Sequence, residues 1–183
     1  MCETPYERKC ILFTNRYSEL IPALARATCL QCIVHPTEPR EQVALLQELC
    51  PNGTALQCYT PSTASNVAKA LLDLAPDLLI TYAFQHILPA YYANICPGIN
   101  LHPSLLPAYP GLNPWQEQMR DGVKQGGYTI HRLTPQVDAG EILDSVTFTW
   151  PTPTPPLTEL RDSTLLQFGI PLLLKLLKSQ HNI

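Results

Sequence analysis

Apolar and polar positions along this chain fall into short unbroken apolar runs, which read as buried strands, separated by segments with apolar residues at helical spacing. Cys10-Ile11-Leu12-Phe13-Thr14 is the first run, and Ser18-Glu19-Leu20-Ile21 opens a helix reaching about Ala27. Residues 29–35 predict a second strand and residues 38–49 a second helix. Asn52-Gly53 marks a turn, residues 55–59 a third strand, and Ser62 or Thr63 caps a helix running to Leu74. Residues 77–82 form the fourth strand and residues 99–102 the fifth. Strands that alternate with helices and are apolar almost throughout must be covered on both faces. That is the α/β class with a doubly wound, mostly parallel sheet.

The pattern changes after the fifth strand. Residues 115–121 predict a short helix, while residues 128–133 and 141–150 alternate as strands that can pair antiparallel at one edge. Residues 158–178 carry Leu160, Leu165, Leu166, Ile170, Leu173, Leu174 and Leu177 at helical spacing, with Pro171 expected to kink that helix. Nineteen prolines mostly punctuate these elements singly, and only Pro151-Thr152-Pro153-Thr154-Pro155-Pro156 clusters, as a stiff extended connector.

Composition narrows the picture. A chain of 183 residues, 45% hydrophobic and 15% charged, suits one soluble domain spanning residues 1–183. The formal net charge of -3 supplies no general basic footprint for nucleic acid. Glu3, Glu7, Arg8 and Lys9 break any apolar leader and no run is long enough to span a membrane, so a cytoplasmic location is expected. Seven scattered cysteines then point to reduced thiols. Cys29 and Cys32 read as small buried hydrophobes on a strand, and no metal site is expected.

The candidate chemistry lies between Gly98 and Gly140. Asn100 and His102 are two apart on a strand and share a face, and His102-Pro103-Ser104 ends that strand just after them. Ligands of open α/β sheets bind outside the strands' carboxyl ends, and a later loop carrying Asp138 can fold over the same edge. An amide that always donates, an imidazole that titrates near neutrality and a carboxylate suit attack of an amine on a carbonyl. The first two would steady the oxyanion, and Asp138 would hold His102 charged or order a proton-relaying water.

Three separated blocks occur in order: Asn100-Leu101-His102-Pro103-Ser104-Leu105-Leu106-Pro107 with Gly111, then Gly127-Tyr128-Thr129-Ile130-His131, then Val137-Asp138-Ala139-Gly140-Glu141-Ile142-Leu143. This pattern closely resembles the folate-dependent formyltransferases, a group that includes glycinamide ribonucleotide and methionyl-tRNA formyltransferases, sugar N-formyltransferases and formylation domains of nonribosomal peptide synthetases. The resemblance implies Asn100, His102 and Asp138 as the catalytic trio and 10-formyltetrahydrofolate as formyl donor, with no metal. It also implies a pterin pocket lined by Phe84, Gln85, His86, Ile87 and Leu88, closed on its other side by the loop holding Gln136, Val137 and Asp138. Ser104 and Gly111 would shape the loop after the trio.

Two departures bear on the acceptor. Members acting on glycinamide ribonucleotide carry a glycine- and serine-rich phosphate turn after the first strand, and here that place reads Phe13-Thr14-Asn15-Arg16-Tyr17-Ser18. The chain also closes one helix after its sheet, where methionyl-tRNA formyltransferases continue into a basic domain. In length it resembles the small formylation domains of peptide synthetases, so the expected acceptor is a primary amine such as an aminoacyl group on a carrier protein. Rival readings are a formyltetrahydrofolate hydrolase and a non-catalytic folate-binding or interaction module. No oligomeric state is selected.

Overall fold

The computed structural model describes residues 8–16, 18–36 and 53–179; the predicted helix over residues 38–49 and Asn52 lie outside them. Strand β1 (Lys9–Thr14) is buried at every position after Lys9, so it needs partners on both edges and cover on both faces. It has them: β2 (Cys29–Pro36) and β4 (Leu78–Tyr82) flank it in parallel, β3 (Ala55–Tyr59) adds to β2, and β5 (Gly98–His102) adds to β4. Strands β6 (Gln125–Arg132) and β7 (Ile142–Thr149) then pair antiparallel along the β5 edge. Among the described residues the sheet has seven strands in the order β3-β2-β1-β4-β5-β6-β7.

Alternation along β1 divides the core in two. Cys10 and Leu12 face one layer, where helix α1 (Leu20–Ala27) and the carboxyl-terminal helical tail pack with Ile80, Leu101 and Ile130. Ile11 and Phe13 face the other, with α2 (Ala64–Leu74), Tyr92, Cys32, Val34 and Leu79. The sheet is thus wound on both sides. Among the described residues no helix is long and apolar enough to cross a membrane.

Several local expectations need correction. Thr63 flanks α2 without capping it through its side chain; its hydroxyl accepts the Thr60 N–H at 2.9 Å, closing a turn before the helix. Strand β6 begins at Gln125, earlier than its alternation suggested. Its two glycines hide the pattern: a Cβ on Gly126 would collide with Phe148 and Trp150, and one on Gly127 with Leu105. The connector through Pro151-Pro156 bends at Thr152 and Pro153 instead of running straight.

Trp115, on helix α3 (Pro114–Arg120), is core, with Tyr128 and Trp150 edge-on and Phe148 stacked on it. In the tail, α4 (Leu157–Thr164) and α5 (Ile170–Lys178) are joined by a π-helical turn, Leu165–Gly169. Pro171 offers no N–H and crowds the preceding turn, so the helix widens just upstream of it and Pro171 becomes an opening residue of α5.

The order of winding reverses between β1 and β4, parallel sheet neighbours although β2 and β3 intervene in sequence: β2 and β3 extend the sheet to one side of β1, and β4 and β5 extend it to the other. Such a switch point opens a crevice at the strands' carboxyl ends. Thr14, Tyr82 and His102 end the three strands that border it.

Candidate active site

Sheet register assembles the polar cluster. Ile99 and Leu101 of β5 turn into the α1-side core, so Asn100 and His102 turn the other way. Thr81 lies beside Asn100 on β4, and His131 lies opposite it on β6. Three adjacent strands therefore place Thr81, Asn100 and His131 in one row across the sheet.

Their hydrogen bonds fix the amide of Asn100. The Thr81 hydroxyl donates to Asn100 Oδ1 at 2.8 Å, leaving the Nδ2 protons to point toward His131 Nε2 at 3.1 Å and Asp138 Oδ1 at 3.2 Å. His131 Nδ1–H donates to the Arg132 carbonyl at 2.9 Å, and its Nε2 lies 3.1 Å from the Asn100 amide nitrogen and 3.3 Å from Asp138 Oδ1. Neither Thr81 nor His131 was among the expected site residues. His131 stood in a motif block, but only the pairing register brings it against Asn100.

His102 is held by the loop that follows it. Its Nε2–H donates to the Tyr109 carbonyl at 2.9 Å, and Ser104, fully buried, donates its hydroxyl to Ala108 at 2.7 Å and to the same Tyr109 carbonyl at 3.2 Å. Nδ1 of His102 is left facing Asp138 Oδ2 at 3.4 Å. Gly111, at φ +94°, donates its N–H to Asp138 Oδ2 at 2.7 Å. Asp138 itself sits at φ +49°, a left-handed conformation that aspartate tolerates better than most side chains. Its two oxygens thus touch the Asn100 amide, both imidazoles and one backbone amide.

Burial lowers the His102 pKa from its ordinary value, and the nearby Asp138 charge only partly opposes this. That direction favours the neutral ring near neutrality and speaks against Asp138 holding it charged, one of the two roles expected of that carboxylate. For Asp138, burial pushes upward, but the His131 contact, the His102 ring and the Gly111 N–H together bring its pKa below the usual carboxylate value. The His102 contribution requires a charged ring, whereas the Gly111 N–H donates whatever the ring's state. The consistent pairing at neutral pH is an ionised Asp138 beside a neutral His102.

This cluster lines a cavity of about 590 Å³, within the range of ordinary ligand sites. Phe84, Gln85, His86, Ile87 and Leu88 line one side of it, and Gln136, Val137 and Asp138 another. The first loop is anchored from beneath: Phe84 packs edge-on to Phe13 and Tyr59, and His86 lies against Tyr59 with ring centres 5.4 Å apart. Ile87 and Val137, 67% and 51% exposed, stand at the mouth with Leu112 at 72%. In the second loop the Thr134 hydroxyl donates to the Gln136 carbonyl at 2.8 Å.

Sequence comparison places residues 31–149 within the formyl transferase family. Among curated relatives, methionyl-tRNA formyltransferase of Campylobacter curvus is 32% identical over 141 residues, covering 67% of this chain and 46% of the relative. That of Campylobacter hominis is 38% identical over 77 residues, covering 42% of this chain and 26% of the relative. The chain thus spans less than half the length of these relatives. Among solved structures, glycinamide ribonucleotide transformylase 1 from Symbiobacterium toebii superposes with a TM-score of 0.79 at 18% identity, over 96% of this chain and 88% of that one. Phosphoribosylglycinamide formyltransferase from Anaplasma phagocytophilum gives 0.73 at 23% identity, over 90% and 81%. These likenesses establish the shared fold, and the matched residues 31–149, which hold Asn100, His102 and Asp138, establish that the chain belongs to the formyl transferase family.

Proposed function

We propose that the chain is an N-formyltransferase that moves a formyl group from 10-formyltetrahydrofolate to a primary amine, with Asn100, His102 and Asp138 as its catalytic residues. The observation that carries this reading is the convergence of an amide donor and an imidazole on one carboxylate, within 3.2 Å and 3.4 Å, in the wall of the cavity. The folate is the second substrate. A cavity of this volume between two loops has room for a flat bicyclic ring.

The acceptor nitrogen attacks the formyl carbon, so a new C–N bond forms while the bond from that carbon to N10 of the folate breaks. Negative charge develops on the formyl oxygen. Asn100 Nδ2 donates to that charge once the bound formyl oxygen draws one of its two protons from His131 or Asp138, and His102 adds a second donor when a proton occupies Nδ1. Asp138 takes the proton that the amine loses, directly or through one water, and N10 receives one as it leaves. No enzyme nucleophile is needed.

The acceptor panel that tests this runs from free amines to aminoacyl groups on a carrier protein. The protein is incubated with 10-formyltetrahydrofolate and each amine, and product is read as a mass gain of one formyl group. Loss of turnover in Asn100→Ala, with the fold intact, is expected. Turnover equal to the wild type in the Asn100, His102 and Asp138 variants would sink the reading, and formate released equally with and without amine would indicate hydrolysis instead.

A further inference from the structure

The loop from Pro103 to Pro114 supplies backbone groups to two members of the proposed trio. Its Tyr109 carbonyl receives His102 Nε2–H at 2.9 Å, and its Gly111 N–H donates to Asp138 Oδ2 at 2.7 Å. One side chain holds both ends of this loop. The Nε2 amide of Gln118, on α3, donates to the Pro103 carbonyl and to the Pro114 carbonyl, each at 3.0 Å. A glutamine amide nitrogen carries two protons, so both are used here.

Gln118 is itself firmly placed. It is 2% exposed, its own carbonyl accepts the Val123 N–H at 3.2 Å, and Trp115 on the same helix is fixed in the aromatic core. It stands behind the cavity wall, lining a separate hollow with Met119 and Trp150, while Pro103 and Pro114 line the cavity that holds the trio. A buried amide must find protein partners. The partners it finds are the residue that follows His102 and the first residue of α3.

Resting on the transferase reading above, we propose that Gln118 is a positioning residue for formyl transfer, a clamp on the loop's two ends that lets Tyr109 and Gly111 orient His102 and Asp138 together. Loss of the clamp leaves the carbonyl beside His102 without this donor and lets the ends of the loop part. The imidazole and the carboxylate then shift relative to Asn100, which Thr81 holds from β4. Gln118 touches neither of the loops proposed to hold the folate, so the effect falls on kcat and not on KM for the folate.

Gln118→Met keeps the length of the side chain and removes both protons. With an amine that the wild type formylates, kcat should fall roughly tenfold to a hundredfold, as expected when reacting groups shift by about 1 Å, with KM for 10-formyltetrahydrofolate unchanged. A glutamine that only packs would lower Tm and leave kcat alone below it. Ring resonances of His102, read in carbon-proton NMR spectra of the imidazoles, should move in the variant, while those of His35 on β2 stay in place. Where Gln118→Met does not fold, Gln118→Asn, a methylene too short to reach both carbonyls, carries the same measurements.

Wild-type kcat in the variant, or His102 resonances that do not move, overturns the proposal. A rise in KM for the folate at constant kcat overturns it as well. The transferase reading falls by a different result, the absence of formyl transfer by the wild type to any amine, and the His102 resonances then still decide whether Gln118 sets that ring.

Discussion

Asn100 and His131 face one another across β5 and β6, amide nitrogen to Nε2 at 3.1 Å, and Thr81 holds the opposite atom of the same amide at 2.8 Å. The two neighbours decide which end of Asn100 points into the cavity. An amide turned the other way would present oxygen to a developing oxyanion and repel it. On the proposed chemistry Thr81 is a positioning residue: its hydroxyl holds Asn100 and touches none of the groups proposed to react.

Thr81→Val removes the hydroxyl while keeping the branched shape of a buried strand residue. Leaving Asn100 Oδ1 without its donor costs on the order of 1 kcal/mol and frees the amide to turn over. The expected result is a roughly tenfold fall in kcat with KM for the folate unchanged, and recovery in Thr81→Ser. A proportional rise in KM at constant kcat, or no recovery in the serine variant, would assign Thr81 to packing alone.

His102 makes stability depend on pH. Its pKa in the folded protein is lowered from the ordinary 6.5, so as pH falls below that value the unfolded chain takes up a proton that the folded chain refuses. Stability is therefore complete above about 6.5 and declines as pH drops toward the folded value. Asp138, whose pKa is lowered, adds a separate loss of stability further down, beginning near 3.8 and running below it. Thermal unfolding between pH 7.5 and 5 should show Tm falling in the wild type and a flatter profile in His102→Gln, whose amide still reaches the Tyr109 carbonyl. Parallel profiles would place the titration elsewhere.

Asp138 combines two demands that substitutions can separate. Its backbone is left-handed at φ +49°, and its carboxylate collects the Gly111 N–H, the Asn100 amide and both imidazoles. Asp138→Asn meets the first demand and fails the second, so kcat should fall by roughly 10²- to 10⁴-fold with little change in Tm. Asp138→Ala fails both, and should additionally lose about 1 kcal/mol of stability through its Cβ in the left-handed region. Comparing kcat and Tm across the pair separates the charge from the conformation; equal Tm values would remove the conformational part.

The strands were legible because apolar continuity over five or six residues leaves little alternative, and Asn100 and His102 could be placed at a strand end from the proline that follows. What stayed hidden depends on contacts between distant segments. Nothing near Thr81 or His131 in sequence marks them as partners of Asn100; the register of β4, β5 and β6 does. The start of β6 was obscured because Gly126 and Gly127 are there for what presses on them, Trp150, Phe148 and Leu105, none of which is adjacent in sequence. The lowered pKa of His102 follows from burial to which the folded loop through Ser104 and Tyr109 contributes.

Gly140 is the remaining control point, although it touches none of the groups proposed to react. A Cβ there would strike the Arg132 carbonyl at the end of β6. That same carbonyl receives the His131 Nδ1–H at 2.9 Å, and the Arg132 N–H donates to the Glu141 carbonyl at 2.9 Å. Backbone cannot yield as a flexible side chain can, so Gly140→Ala must either push the loop carrying Asp138 away or shift Arg132 and with it the His131 ring. Either movement opens contacts of 3.2 to 3.4 Å around Asp138. We expect kcat to fall at least roughly a hundredfold, since misplacement by about 1 Å is enough for that. The loss should come with weaker folate binding, because the same loop closes the cavity. Secondary structure, read by circular dichroism, should remain that of the wild type. A Gly140→Ala protein with wild-type turnover would show that Asp138 is positioned independently of the loop's close approach to β6.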